Sequence, residues 1–430
     1  MADKAPVAHP RLTLRQRLSR SALARLGPGL ITGVADDDPS GIATYSQAGA
    51  QFGLNMLWTM PVAYPLMAAV QSMCARLGRV TGRGLSANIK TQFPPGVLRA
   101  LVVLLLVANT LNIAADVAAM GEAAELVTNI DRHVATFLFV AVTLLLQVLV
   151  PYHRYVGFLK WLTVSLLAYA LVLLTIHVPW GEVLRRTVAP HFALGADSAT
   201  MIVAVFGTTI SPYLFFWQAS EEVEDLRGAP GLMANPKASK PELSRIAWDT
   251  WIGMFYSNVT SFFIILATGL TLGVAGVTQI DTAGQAASAL KPLAGNFAAI
   301  LFTVGILGVG LIGVPVLAGS GAYALAEAMG WNEGLERKAN DARGFYAVIT
   351  VSVLAALLIQ YSPISPMRAL FWSAVINGVV AVPLLVVVVL LVSNRKVMGD
   401  FIVRGPIRWL GWLTVAVMAA AAGAMVVPLL

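Results

Sequence analysis

Apolar residues along the 430-residue chain gather in long blocks, rather than recurring on one face of successive amphipathic helices. A helix needs about 20 apolar residues to cross about 30 Å of hydrocarbon. Eleven blocks qualify as spans: 26–50, 56–77, 97–127, 134–151, 156–177, 199–223, 248–275, 297–328, 345–361, 368–393 and 407–429. The third and eighth are long enough to tilt or to extend beyond the bilayer. The pattern predicts an all-α polytopic membrane protein.

Composition agrees: 57% of residues are hydrophobic and 12% charged, where soluble domains carry about 25% charged residues. The formal charge of +7 does not point to nucleic acid, because the basic residues are dispersed over short loops and one tail. In a membrane protein they report topology. With the N-terminus in the cytoplasm, the basic loops all fall on that side: Arg76, Arg79, Arg83 and Lys90; His153, Arg154 and Lys160; Arg227, Lys237, Lys240 and Arg245; Arg337, Lys338 and Arg343; Arg395, Lys396, Arg404 and Arg408. The C-terminus then lies outside. Residues 1–25, with five arginines and no apolar core, read as a cytoplasmic basic tail, not a signal peptide. The compact loops suit a plasma membrane, of the bacterial inner-membrane kind. Cys74 is the single cysteine, so it forms no internal disulfide and reads as a packing residue. The loop Glu224–Glu242, with three prolines, reads as a polar, mobile linker.

Two spans are interrupted at mid-depth. The first carries Asp36-Asp37-Asp38-Pro39-Ser40-Gly41 about 18 Å along its axis. Proline removes a backbone donor and clashes with the preceding turn, and charge at that depth survives only facing a cavity, a partner or an ion. The sixth carries Gly207-Thr208-Thr209-Ile210-Ser211-Pro212. Five spans separate the two breaks, so the halves enter the membrane from opposite sides, as in an inverted repeat, and corresponding breaks are the pointer to a transporter site. The halves are 26–177 (helices 1–5) and 199–393 (helices 6–10), with 407–429 as an eleventh helix. Unwound carbonyls beside carboxylates make a hard-oxygen cation site.

At these residues the chain resembles the NRAMP (natural resistance-associated macrophage protein) family of divalent-metal transporters. The likeness is carried by Leu26-Gly27-Pro28-Gly29, Asp38-Pro39-Ser40-Gly41, the stretch Ala75–Arg83, Ala115-Asp116-Val117-Ala118 and Gly330-Trp331. It implies a LeuT-type 5+5 inverted repeat with helices 1 and 6 broken, and the family's metal-binding aspartate falls on Asp38. The family's asparagine ligand falls on Gly41 and its methionine on Ser211. Its sixth-helix histidines fall on Tyr213 and Gln218. Its third-helix aspartate falls on Asp116, but the glutamate one turn later falls on Ala119. A thioether favours softer metals, so its replacement by Ser211, beside Thr208 and Thr209, leaves an all-oxygen site suited to Mg²⁺ and Mn²⁺, as in the NRAMP-related magnesium transporters. Loss of both histidines and the glutamate predicts weak or absent proton coupling.

The candidate metal set is therefore Asp38, Ser211, Thr208, Ala35, Gly41 and Asn377, the last from the tenth span. The candidate proton or cation pathway is Asp116, Asp37, Gln218, Tyr213, Glu221 and Glu222, with Glu122 a weaker candidate. The expected partners are a divalent metal ion, as transported substrate and not as cofactor, and the lipid bilayer. A second reading is a LeuT-fold symporter for a small organic cation or another organic substrate. No phosphate-binding loop, zinc-protease pair or nucleophile elbow is present, so no enzyme is expected.

Overall fold

The computed structural model describes residues 28–150, 162–190, 195–226, 229–236, 239–335, 337–359 and 364–426. The principal helices are α1 (Pro28–Asp36), α2 (Pro39–Phe52), α3 (Thr59–Thr81), α4 (Leu85–Gln92), α5 (Pro95–Thr128), α6 (Arg132–Leu149), α7 (Ala196–Thr209), α8 (Pro212–Glu224), α9 (Ser239–Thr268), α10 (Ala298–Met329), α11 (Arg343–Ile359), α12 (Pro366–Ser393) and α13 (Pro406–Val426). Among the described residues, seven helical stretches are long and apolar enough to cross a membrane; they correspond to the expected spans 3, 4, 6, 7, 8, 10 and 11. The first span is divided into α1 and α2, the second is the less apolar α3, and the ninth is the 17-residue α11. The fifth lies partly outside the described residues, and resumes as short helical turns over Leu162–Leu166 and Leu167–Val172.

Both predicted breaks are present. α1 stops at Asp36 and α2 restarts at Pro39, while α7 stops at Thr209 and α8 restarts at Pro212. In each pair the proline occupies the first turn of the second half-helix, where its missing N–H has no intrahelical use. The packing follows the pseudo-twofold relation of the halves. The broken first span, α1 and α2, lies against α9, and the half-helix α8 lies against α3. Each broken helix thus leans on the second helix of the opposite repeat.

The buried apolar side chains form two large clusters that meet at the breaks. One holds Ala35, Ile210 and Tyr213 with the interiors of α3, α8, α10 and α12. The other holds Ile42, Tyr45 and Val205 with parts of α5 and α9. Outward faces are apolar as well: Val103, Val107, Phe137, Leu145 and Leu413 are exposed, an arrangement suited to lipid. Cys74 is fully buried in the first cluster.

The structure departs from the expected linker over Glu224–Glu242. Its described part is docked rather than loose: Leu232 and Met233 donate backbone hydrogen bonds to the Arg79 and Val80 carbonyls at the end of α3, and Leu232 is buried. Prolines and glycines here serve an ordered backbone contact, which composition does not distinguish from mobility. The amphipathic α4 was also not foreseen. Its eight polar-rich residues are tethered from outside, the Ala87 N–H donating to Glu327 Oε2 on α10.

One close backbone contact stands just before the sixth-span break. Gly207 faces Ala374 and Gly378 on α12, and a Cβ there would overlap the Ala374 carbonyl and fall 2.5 Å from the Gly378 nitrogen. Backbone cannot move aside as a side chain can, so Gly207→Leu is expected to cost about 1–3 kcal/mol of stability, the usual range of overpacking. Thermal unfolding in detergent checks this. Gly96→Ala, whose Cβ meets nothing within 4 Å, is the silent control.

Candidate functional site

The two breaks face one another. The Tyr213 hydroxyl, in the first turn of α8, lies within hydrogen-bonding reach of both the Ala35 carbonyl at the end of α1 (3.3 Å) and Asp38 Oδ2 (3.2 Å), with one hydrogen to donate. Ser40 Oγ and Thr208 Oγ1 lie 3.4 Å apart. Gly41 is close enough to Thr208 that a Cβ would sit 3.4 Å from its hydroxyl. Asp38, Ala35, Gly41, Thr208 and Tyr213 are thus gathered at one point.

Asp38 caps α2: its Oδ1 accepts from the Gly41 N–H (2.9 Å) and from Ser40 Oγ (2.6 Å). Its Oδ2 accepts from Tyr213 and, on the other side, from Asn112 Nδ2 on α5 (3.0 Å). α10 closes the third side, where a Cβ on Gly313 would lie 3.1 Å from Asp38 Cβ.

The other two aspartates turn away. Asp36 Oδ2 and Asp37 Oδ1 both receive the Ser257 hydroxyl of α9 (2.6 and 2.9 Å), and Ser261 also reaches Asp37 Oδ1 (3.4 Å). Ser257 has one hydrogen for two carboxyl groups. The remaining oxygens, Asp36 Oδ1 and Asp37 Oδ2, are buried without a hydrogen bond. Asp116, one turn beyond Asn112 on α5, interacts with the Asp38 charge and lies toward the Ser40 backbone N–H, but neither of its oxygens attains hydrogen-bond geometry. Asp36, Asp37, Asp38 and Asp116 are at most 1% exposed. Among the described residues no Lys, Arg or His pairs with any of them, and no three His, Cys, Asp or Glu side chains converge as a ready-made metal cluster.

Ser211 caps the break, its hydroxyl reaching the Gly207 and Thr208 carbonyls (2.9 and 2.7 Å). Gln218 on α8 and Asn377 on α12 are buried, with neither side-chain polar atom hydrogen-bonded. Glu222 is fully buried but engaged by Arg245 (2.9 Å) and Arg79 (3.8 Å). Asp225 and Glu242 complete this five-residue ion network, which ties α3, α8 and α9 at one end of the molecule. Glu221 is half-buried beside it. Glu122 Oε1 accepts the Ala283 N–H and so holds the short helix Ala283–Ser288.

At the other end a cavity of about 350 Å³ is lined by Gln47, Gln51, Asp197, Thr200, Asp281 and Arg368 among others. Thr200 stands two turns from Thr208 along α7, and Ala43 and Gln47 continue the α2 face that begins at Ser40. The cavity stops short of the buried Ser40–Thr208 pair. The site therefore has a polar vestibule on one side and a charged latch on the other.

Asn112 was missed in the reading of the sequence, although a signal was there. Asn109, Asn112 and Asp116, at i, i+3 and i+7, place three polar side chains on one face of the largely apolar middle of a 34-residue helix. Asn109 bonds to Leu317 O and Ser320 Oγ on α10.

Comparison with known proteins places this geometry. The family model described as natural resistance-associated macrophage protein-like (Nramp) matches residues 29–428. The chain belongs to the Nramp family. Family members are transporters, not enzymes. The chain is 25% identical over 413 residues to the divalent metal cation transporter MntH of Klebsiella pneumoniae, covering 94% of each chain. It is 27% identical over 410 residues to MntH of Mycobacterium tuberculosis, covering 94% of this chain and 90% of that one. Among solved structures it superimposes on the Eremococcus coleocola manganese transporter with a TM-score of 0.72 at 16% identity, over 97% and 88% of the two chains. It superimposes on Mhp1, a nucleobase-cation-symport-1 family transporter, with a TM-score of 0.55 at 14% identity, over 93% and 92%. The fold is thus the LeuT-type 5+5 repeat with an eleventh helix.

Beside the latch, the loop after α10 carries a titratable group outside the membrane. Burial, together with the neighbouring Glu327 and Glu224 charges and against the partial relief of Arg337, pushes Glu333 up to about 9. An acid raised in the folded state stabilises it below its unfolded pKa and loses that contribution as pH rises through the folded value. Stability of the Nramp chain is expected to fall between about pH 4.5 and about pH 9, and Glu333→Gln to flatten that slope, as followed by thermal unfolding across the window.

Proposed function

We propose that this Nramp chain carries divalent metal cations across a membrane through the site between its broken helices, with Asp38 as principal ligand. The observation that carries the proposal is a buried carboxylate held at the junction of two interrupted helices by neutral donors only. A carboxylate in such a place is stabilised by an arriving cation more than by anything else in reach. The C-terminal ends of α1 and α7 bring their partial negative charge to the same point. The MntH names of the relatives agree with this cargo.

The remaining ligands are oxygen: the Ala35 carbonyl and the Thr208 and Ser211 hydroxyls, with the small Gly41 beside them and the Asn377 amide offered from α12. Where Gly41 and Ser211 replace an amide and a thioether, the site keeps only hard ligands and more room. Both favour Mg²⁺ and Mn²⁺ over softer metals, and Mg²⁺ retains part of its water shell. Tyr213 and Gln218, in place of titrating imidazoles, leave proton coupling weak or absent. Entry is then driven by the membrane potential, about 2.3 kcal/mol per charge per 100 mV. Asp116, Asp37 and Gln218 flank the path, and Glu221 and Glu222 stand at its latch.

In this reading the latch end is cytoplasmic, as is the N-terminus; the vestibule and C-terminus are outside, and the membrane is a bacterial inner membrane. Residues 1–25 form the tail, 26–177 and 199–393 the two repeats, and 407–429 the added helix.

Uptake into proteoliposomes tests the proposal. Wild type is expected to admit Mn²⁺ and Mg²⁺ without acidifying the lumen, and Asp38→Asn to reduce both by about tenfold or more, the scale of losing one strong charged ligand. Entry of neither metal overturns the cargo, and acidification in step with Mn²⁺ overturns the uncoupled mechanism.

A further inference from the structure

Asp38 has about four lone-pair directions on its carboxylate, and four donors stand within reach of them: Ser40 Oγ and Gly41 N on Oδ1, Asn112 Nδ2 on Oδ2, and Tyr213 OH, whose one hydrogen serves either Oδ2 or the Ala35 carbonyl. A cation bound by Asp38 therefore competes with these donors. The two on Oδ1 belong to the cap of α2, and releasing them uncaps a helix inside the protein, where no water replaces the bond. The two on Oδ2 come from other helices and yield more readily. Of these, Tyr213 has a second acceptor already within reach, the Ala35 carbonyl.

Asn112 is differently equipped. Its Nδ2 faces Asp38, and its Oδ1, on the opposite side, accepts from Ser373 Oγ on α12 (2.5 Å). The two ends of a carboxamide are nearly isosteric, and its terminal torsion is soft and roughly twofold. Turning over by about 180° therefore needs no new space. It would present Oδ1 to the Asp38 side and Nδ2 to Ser373.

Ser373 suits both orientations. Its hydroxyl also lies 2.7 Å from the Leu370 carbonyl. With the amide as it stands, Ser373 donates to Asn112 Oδ1. With the amide turned, the hydroxyl donates to Leu370 O and its oxygen accepts from Asn112 Nδ2. No hydrogen bond is lost on the α12 side, while on the Asp38 side a donor, which repels a cation, becomes an acceptor, which binds one. Asn112, Ser373 and Asp38 are all buried.

We propose that Asn112 is an exchange ligand: its side-chain amide holds Asp38 through N–H and turns over to offer its oxygen to the incoming divalent cation, with Ser373 as the adaptor that accepts either face. It supplies from α5 the amide oxygen that Gly41 does not supply from the first break. This rests on the reading of Asp38 as the cation's ligand. It also ties three helices, α2, α5 and α12, to the presence of the cation.

The test measures Mn²⁺ and Mg²⁺ affinity by calorimetry on the full-length detergent-purified protein, for wild type, Asp38→Asn, Asn112→Leu and Asn112→Asp. Exchange ligation predicts that Asn112→Leu weakens binding about threefold to tenfold, the span of one polar interaction's net contribution. If Asn112 is only a donor that competes with the cation, the same substitution removes the competitor and tightens binding, which overturns the proposal, as does unchanged affinity. A second readout does not depend on the leucine variant folding. Cation-induced infrared difference spectra of wild type are expected to show a shifted side-chain amide carbonyl band that is missing from Asn112→Asp, and its absence in wild type refutes the turnover. Wild type that binds neither metal sinks the metal site and this inference together. Wild-type binding that is lost in Asp38→Asn but not weakened in Asn112→Leu leaves the function standing and removes only the inference.

Discussion

Hydrocarbon offers no partner to a broken backbone, and the rest of this structure follows from that constraint. An unsatisfied peptide group in lipid costs several kcal/mol, so two helices interrupted at mid-depth must find every lost hydrogen bond within the protein. Asp38 caps the restart of α2, and Ser211 covers the Gly207 and Thr208 carbonyls at the end of α7. Tyr213 crosses from one break to the other to meet the Ala35 carbonyl. At its N-terminal end, α1 is capped by Asp249 of α9, which accepts from the Gly29 N–H. The side chains that repair the breaks are the same ones that line the candidate site. A site for an ion that exchanges water for protein oxygen is, physically, a place where backbone repair has been left incomplete enough to be redirected.

Charge is distributed accordingly. The buried carboxyl groups near the breaks have no basic partner among the described residues, while Arg79 and Arg245 are held at one end by Glu222, Asp225 and Glu242. A buried pair loses much when one member is removed, because the other is left uncompensated. Such a network closes one face firmly, yet it opens as a unit if the half-helix α8 swings away from α3. At the opposite face the barrier is thin, a contact between two hydroxyl-bearing residues below a polar vestibule. This asymmetry describes a molecule closed at both ends by interactions of unlike strength.

Much of this was legible in the amino-acid order. The eleven spans, both breaks and the inverted relation between the halves follow from apolar block length and from where proline and glycine interrupt it. Those are local properties: a helix in lipid must be about 20 residues long and apolar, and proline breaks it wherever it stands. The same holds for the acidic cluster beside the mid-span proline, whereas the choice of Asp38 among its three aspartates came from the resemblance to the Nramp family. Loop chemistry was less legible. The proline-rich stretch after α8 read as mobile, yet its described part is pinned to the end of α3 through backbone bonds, and those leave no mark on composition.

Partnership is what only the tertiary structure decided. Three consecutive aspartates are equivalent in the chain, but the non-helical turn after α1 sends Asp36 and Asp37 to the serines of α9 and Asp38 to α5 and α8. Asn112 is 74 residues from Asp38 and Ser373 is 261 residues from Asn112; no periodicity or spacing links them, because contacts of that separation are set by how helices pack. Block length and helix breakers, acting locally, determined that this chain spans a membrane with two interrupted helices and a carboxylate at one break. Which side chains meet that carboxylate was decided by close approach between helices, as at Gly207 against Ala374 and Gly378 or Gly313 against Asp38, where the absence of a Cβ lets backbones come near enough to bring distant residues into hydrogen-bonding reach.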